Sequence, residues 1–223
     1  MLKEAYISLL KSISHDLPIG GRTNAPIVRL FRRLINHSSI YERFAFHLSE
    51  ARSIYSSIAT NFSREHHFWL QFGSLELEYG ELAPAANYIE QAYKFAPNDN
   101  IVKNTRAHLL YKQALEVRLI EEAQEMRKEA REALLEQTAL RPEDHYAFHI
   151  YCTRELAWIH RWLVNTKEKT RALEELRAYA KECVNKHPNS ARLKEASFQI
   201  NSAYLDMAKP DQEGGHPFNP VIV

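Results

Sequence analysis

The chain has few of the residues that interrupt or crosslink a fold: two cysteines, six glycines and nine prolines in 223 residues. Cys152 and Cys183 are too few for a disulfide framework, which favours a reducing cytoplasm. The sequence also lacks a glycine-rich phosphate loop, the alternating pattern of β-strands, and any apolar run near the roughly 20 residues that span a bilayer. The start of the chain lacks the apolar core of a signal peptide. These absences favour an all-α soluble protein without a membrane partner.

Charge is nearly balanced, with 29 Lys and Arg against 28 Asp and Glu. A net charge of +1 does not favour nucleic acid as a partner. The one basic concentration lies near the start of the chain and includes a predicted basic face of Arg29, Arg32 and Arg33. Guanidinium groups suit carboxylate and phosphate ligands. We interpret this face as a contact with an acidic neighbour in a larger protein, or as a plain solvated surface.

Three prolines return at a nearly fixed interval in the same local setting. Pro142 follows Pro97 by 45 residues, and Pro188 follows Pro142 by 46. Each proline must end a helix, and the Asp or Ser two residues later can cap the next one. The interval has room for two helices of about five turns each. A helix pair repeated at fixed spacing is typical of a solenoid.

The first of these units carries a specific signature. The residues that form it are Trp69-x2-Phe72-Gly73, then Ala85-x3-Ile89, Ala92 and Pro97. This pattern resembles the tetratricopeptide repeat family, with a departure at Glu76, where that signature has Tyr. In our interpretation Gly73 and Ala85 allow close approach of two helices, Trp69 and Phe72 fill the space between them, and Gly80 turns the chain through a positive φ. A parallel pattern, Phe148-x2-Tyr151-Cys152-x2-Glu155, follows Pro142.

The resemblance implies an all-α, right-handed superhelix of antiparallel helix pairs, a tetratricopeptide-like α-solenoid. We expect N-terminal helices over 1–62, repeats over 63–207 and an extended tail over 208–223, with late helices at 121–140, 172–187 and 190–207. In this family the first helix of each pair lines a groove that receives a protein or peptide. The groove residues that the resemblance implies here are His67, Leu70, Ser74, Leu77 and Glu78. Without Lys and Asn at these places, a clamp for the acidic tails of chaperones is not expected.

A second resemblance, carried by Tyr41-Glu42-Arg43-Phe44, Leu48-Ser49-Glu50-Ala51-Arg52 and Trp69-Leu70-Gln71-Phe72-Gly73-Ser74, is to helical C-terminal regions of bacterial defence proteins. In those proteins a sirtuin-like or other effector and a STAND-type NTPase precede the repeats. It implies an alternative function, a sensor or regulatory segment of a larger antiphage protein. The prediction that we favour is a non-catalytic adaptor or sensor that binds a protein through the repeat groove.

The sequence contains few residues in patterns typical of catalysis or metal binding. His145, His149 and Cys152 share a helical face with the spacing of zinc ligands, but Cys152 also stands where the repeat needs a small residue. Trp158 and Trp162 share another face, either in the core or in an exposed groove. No nucleophile motif accompanies the eleven histidines. We therefore expect neither a metal nor a cofactor, and a metal-dependent or hydrolytic enzyme is the least favoured alternative.

Overall fold

The computed structural model describes residues 48–208 except 50, 54 and 58. The residues 48–57 that it describes are helical, and a 3-10 helix at Ala59–Phe62 follows them. Seven further helices are described: α1 His66–Tyr79, α2 Leu82–Phe95, α3 Asn100–Glu116, α4 Ile120–Leu140, α5 His145–Trp162, α6 Thr166–Lys186 and α7 Ala191–Ala208. This part of the chain contains no β-strand, so the predicted all-α class is confirmed. The basic face Arg29, Arg32 and Arg33 and the predicted tail lie outside the described residues.

The three proline junctions adopt the same turn. Pro97, Pro142 and Pro188 each lie at the second position of a turn between two helices. The turns are closed by backbone hydrogen bonds from Asp99 N to Ala96 O (3.1 Å), from Asp144 N to Arg141 O (3.0 Å) and from Ser190 N to His187 O (3.0 Å). One local structure therefore recurs with the period that the prolines have in the sequence.

The predicted caps are also present at these junctions. The Asp99 carboxylate accepts hydrogen bonds from the amides of Ile101 (2.9 Å) and Val102 (3.0 Å), the Asp144 carboxylate from Tyr146 (3.0 Å), and the Ser190 hydroxyl from Leu193 (3.4 Å). Each bond satisfies an amide that the first turn of a helix leaves without a backbone partner. These side chains fix where α3, α5 and α7 begin.

Helix α6 begins six residues earlier than the predicted range of 172–187. The Asn165 side chain accepts hydrogen bonds from the amides of Lys167 (2.9 Å) and Glu168 (3.3 Å) and caps the helix at Thr166. The intervening residues 166–171 are polar and exposed or partly exposed, so the apolar periodicity gave no signal for this first turn and a half. The start of a helix depends on its cap as much as on its buried face.

Neighbouring helices pack together within each of two compact units, which cover residues 1–137 and 138–223. In the first unit α1 packs on α2 and both contact α3. In the second unit α6 packs on α5, and α7 packs on both. Pairing of adjacent helices is thus observed, whereas the superhelix and the predicted boundaries at residues 62 and 207 remain predictions. None of the described helices is both long and apolar enough to cross a membrane.

Burial alternates along the chain within these units. Eight of the 14 residues of α1 are buried, but only three of the 14 residues of α2. The same holds later, with eight of 18 residues buried in α5 and four of 21 in α6. The first helix of each hairpin is therefore the central one, and the second covers one side of it.

Candidate functional site

The α1–α2 hairpin is closed at the point where the signature places Gly73. A Cβ atom at Gly73 would lie 2.6 Å from Ile89 Cγ1 and 3.0 Å from the Ile89 backbone nitrogen. Both distances are too short for a side chain, so the two helices approach as closely as they do because position 73 is glycine. Ala85, Ile89 and Ala92 on α2 are fully buried. These side chains pack against Leu70 and Leu77 of α1 and form the buried contact between the two helices.

Four aromatic rings form a continuous stack through this hairpin. The Tyr55 ring stacks on Phe72 at a centroid distance of 4.6 Å, Phe72 on Tyr88 at 3.9 Å, and Tyr88 on Trp69 at 5.8 Å. Trp69 lies at the partly exposed end of the stack, and its indole Nε1 donates a hydrogen bond to the Ser63 carbonyl at 2.9 Å. Trp69 thus joins the hairpin to the turn before α1, while Phe72 occupies the buried centre.

Glu76, the departure from the signature, is a buried carboxylate with a dedicated partner. It is 2% exposed and accepts two hydrogen bonds from the Arg52 guanidinium, from Nε at 2.7 Å and from Nη2 at 2.6 Å. The hydrogen bond to Glu76 raises the pKa of Arg52 above its usual range. Such a two-bonded pair is the geometry in which a carboxylate tolerates burial. It ties the helical segment at 51–53 to α1.

The role predicted for Gly80 is wrong in its geometry. Its φ is −116°, so the turn does not use the left-handed region. A Cβ atom here would instead lie 1.9 Å from Glu76 Oε2 and 2.8 Å from Arg52 Nη2. A side chain at position 80 would therefore meet the Glu76–Arg52 ion pair, which would have to shift.

Three of the predicted groove residues are not exposed. Leu70 is 2% exposed and packs with Ala92 and Val102, and Leu77 is 3% exposed and packs with Leu109. The Leu77 carbonyl also accepts a hydrogen bond from the Lys112 ammonium at 2.6 Å. The prediction that these leucines contact solvent is wrong because α3 packs against this face of α1.

Ser74 is buried as well, with 7% of its surface exposed. His67 is partly exposed and Glu78 is exposed, near the two ends of α1. Eleven residues apart, they lie on the same side of the helix, about 16 Å from each other along its axis. Of the predicted groove, these two side chains remain accessible.

A charged cluster joins the three helices that follow α1. The Arg106 guanidinium on α3 donates to the Glu90 carboxylate on α2 at 2.7 Å and to Glu129 on α4, and it lies 4.9 Å from the centre of the Tyr93 ring. Burial works against this charge, but the two carboxylates raise the pKa of Arg106. These interactions connect α2, α3 and α4, so the cluster has a structural role.

The α5–α6 hairpin repeats the aromatic packing of the first one. Tyr179 contacts Phe148 at 6.2 Å and Tyr151 at 4.8 Å between ring centroids. Phe148 and Tyr151 follow Trp69 and Phe72 by 79 residues, and Tyr179 follows Tyr88 by 91, as Pro188 follows Pro97. The same ring of the second helix therefore meets the same two positions of the first helix in both hairpins. The pair Tyr88 and Tyr179 was missed in the sequence, although the shared interval of 91 residues would have shown it.

The possible zinc ligands do not converge in the structure. Cys152 and Cys183 on α6 are both buried, and the neighbouring Cys183 thiol together with burial raises the pKa of Cys152. His149 is partly buried, and burial and the charge of Arg192 lower its pKa. His145 is exposed, with its ring 6.2 Å from that of His187. Within the described residues no group of three or more His, Cys, Asp or Glu side chains could hold a metal ion.

The two tryptophans of α5 differ in exposure. Trp158 is 3% exposed and belongs to the core, whereas Trp162 is partly exposed beneath the Arg161 guanidinium, 5.1 Å from the ring centre. A shallow open cleft of about 310 Å³ lies along α4. Its lining residues are Gln124, Arg127, Lys128, Arg131, Glu132 and Leu135. All six lie on α4, and four of them are charged.

No family model, no curated protein and no solved structure matches this chain.

Proposed function

We propose that this chain is a non-catalytic protein-recognition module, an adaptor or sensor built from tetratricopeptide-like hairpins. The observation that carries the proposal is the recurrence of one hairpin packing, with Tyr88 and Tyr179 in equivalent places and one turn at all three proline junctions. Proteins built from repeated helical hairpins use the surfaces of those hairpins to bind partners.

One buried and one partly buried charged group support a scaffold role. Glu76 and Arg106 are each engaged by partners on another helix, so their charges hold helices together. The thiols of Cys152 and Cys183 are both buried. In a binding module the accessible side chains contact the partner, and the buried side chains stabilise the fold.

The partner surface that we propose passes along α1 through His67 and Glu78. A carboxylate and an imidazole about 16 Å apart suit an extended peptide segment of some five residues, since an extended chain advances about 3.3 Å per residue. A basic residue of the peptide would pair with Glu78. Leu70 and Leu77 are covered by α3, so the partner would contact the accessible ends of α1 at His67 and Glu78 and not the centre of the helix.

The test is capture of binding partners from an extract of the source organism by the tagged full chain, with quantification by mass spectrometry. His67→Glu combined with Glu78→Lys should reduce the captured partner at least tenfold without changing the melting temperature. Glu174→Lys, on the exposed face of α6, is the matched control and should retain it.

The proposal fails if the His67 and Glu78 variant retains every partner. A third variant, with Arg29, Arg32 and Arg33 changed to Glu, tests the rival interpretation of the basic face. Loss of the partner in this variant alone would assign recognition to the N-terminal region.

A further inference from the structure

The two cysteines of the chain face each other across the α5–α6 hairpin. The ring of Phe148 on α5 lies 5.1 Å from the ring of His187, the residue that caps the end of α6. Two helices joined by a short loop run antiparallel, so four residues forward on α5 and four residues back on α6 lead to positions that again oppose each other. These positions are Cys152 and Cys183. They are 0% and 1% exposed, and neither is in a disulfide.

The equivalent place in the α1–α2 hairpin is a point of close approach between helices. The two cysteines occupy the places that Gly73 and Ala92 have in the first hairpin. A Cβ atom at Gly73 would lie 2.6 Å from Ile89 Cγ1. The residue equivalent to Ile89 is Ala180, which is smaller and leaves room for the Cys152 side chain. This contact suits a disulfide, which needs two Cβ atoms about 3.5–4.5 Å apart.

The surroundings distinguish the two thiols chemically. The neighbouring Cys183 thiol together with burial raises the pKa of Cys152. The neighbouring Cys152 thiol lowers the pKa of Cys183, although burial opposes this effect, and the Tyr179 hydroxyl lowers it further. The thiolate is the form of cysteine that attacks an oxidant. Cys183 is therefore the thiol that reacts first, with Cys152 beside it as the second thiol.

We propose that Cys152 and Cys183 form a reversible disulfide in the presence of hydrogen peroxide, which joins α5 and α6 covalently. Peroxide reaches the pair when the hairpin opens locally. The Cys183 thiolate attacks one peroxide oxygen, the O–O bond breaks, and the leaving hydroxide takes up the proton that the thiol lost, which gives water and a sulfenic acid. The Cys152 thiol then attacks the Cys183 sulfur. The S–S bond forms, the S–O bond breaks, and the hydroxide leaves with the Cys152 proton as a second water, so the two thiols lose two electrons and one peroxide gains them.

The disulfide would act on the second hairpin alone. It closes a loop of about 30 residues and so restricts the unfolded chain, which stabilises the fold. The α1–α2 hairpin has Gly73 and Ala92 at these places and cannot form the same link. The inference does not depend on the proposed function, because neither His67 nor Glu78 takes part in it.

Treatment of the reduced full chain with hydrogen peroxide tests the disulfide. The mass of the parent should fall by two hydrogen atoms, and a digest without reductant should contain the Cys152 peptide linked to the Cys183 peptide. The melting temperature should rise by about 5–10 °C, and dithiothreitol should reverse both changes. In Cys152→Ser the reaction should stop at a sulfenic acid on Cys183, which dimedone traps.

The matched control moves the second thiol by one residue. Cys183→Ser combined with Glu182→Cys places it at a side chain that is 62% exposed on α6. This thiol is more accessible to peroxide but turned away from Cys152, so the link to Cys152 should form at least tenfold more slowly than in the parent. Circular dichroism checks that the parent and the control are folded during the reaction.

Three results would overturn the proposal. The first is a folded parent that forms no link between Cys152 and Cys183, including one that links two chains instead. The second is a link in the folded control that forms as fast as in the parent. The third is an oxidised parent that melts at or below the temperature of the reduced one.

Discussion

The hairpins α1–α2 and α5–α6 share one packing scheme but differ in what covers their first helix. In both, a tyrosine of the second helix meets two aromatic residues of the first, and a buried glutamate follows three residues after a small one. The second helix has 14 residues in the first hairpin (α2) and 21 residues in the second hairpin (α6). The two hairpins therefore share their aromatic contacts but not their helix lengths.

Two equivalent positions show the difference most directly. Leu70 of α1 corresponds to His149 of α5, and Gly73 corresponds to Cys152. Leu70 is buried under α3, whereas His149 is partly exposed beside the positive charge of Arg192. The same position is therefore apolar and covered in α1, but polar and close to a positive charge in α5.

The largest expected effect contrasts those two positions. Leu70→Asp places an unpaired carboxylate among Ala92 and Val102 and should cost more than about 4 kcal/mol, enough to unfold the first unit. His149→Asp should cost less, by at least about 2 kcal/mol, because His149 is only partly buried and the positive charge of Arg192 is near. Urea unfolding followed by circular dichroism measures both. Equal losses would show that the two environments do not differ as described.

The next effect concerns the shared tyrosines. Tyr88→Ala and Tyr179→Ala should each cost roughly 2–4 kcal/mol, since each ring bridges two aromatic residues of the partner helix. Tyr88→Phe and Tyr179→Phe keep the ring and serve as controls, with losses below about 1 kcal/mol. If one alanine variant proves neutral, its hairpin lacks the contact and the two hairpins are not equivalent.

Gly73→Ala should destabilise the protein by about 1–3 kcal/mol, although alanine has the higher helix propensity by about 1 kcal/mol. The added Cβ would lie 2.6 Å from Ile89 Cγ1 and 3.0 Å from its backbone nitrogen, so the hairpin must open. Cys152→Ala, at the equivalent position, keeps its Cβ and loses only a thiol, so it should cost about 1 kcal/mol. A stabilised Gly73→Ala variant, measured by thermal unfolding, would contradict the close approach.

The smallest effect is a pH dependence at His149. Because its pKa is lowered in the folded state, the unfolded chain binds the proton first as the pH falls below about 6.5, and the stability falls with it. Arg154 and Arg192 lower this pKa and Glu195 opposes them. His149→Gln should remove at most about 1 kcal/mol of the loss between pH 7 and 5.5. If the urea midpoint falls by the same amount between pH 7 and 5.5 in His149→Gln and in the parent, His149 does not contribute to the pH dependence.

The sequence predicted the turns and caps correctly because they depend on local chemistry. Proline stops a helix and an Asp or Ser side chain caps the next one whatever surrounds them, as Asp99 and Asp144 show. The accessible surface was predicted less well, because the exposure of Leu70 depends on where α3 packs. The period of 3.6 residues shows that α1 has an apolar face, but it does not show how many neighbours cover that helix.

The departure at Glu76 illustrates the same limit. Glu76 stands where the signature has tyrosine, and its carboxylate accepts two hydrogen bonds from Arg52. Arg52 lies 24 residues earlier and carries no local sign of this pairing. A long-range ion pair depends on the fold, and the spacing of residues in the sequence does not predict it. The same is true of Gly80, which lies next to this ion pair.

The central claim is that α1–α2 and α5–α6 are two copies of one repeat. Nuclear Overhauser effects between aromatic rings test it most directly, in protein with selectively labelled tyrosine and phenylalanine. The Phe72–Tyr88 pair, with centroids 3.9 Å apart, and the Tyr151–Tyr179 pair, at 4.8 Å, should both give cross-peaks. A cross-peak for Phe72–Tyr88 with none for Tyr151–Tyr179 would contradict the claim and leave one repeat in place of two.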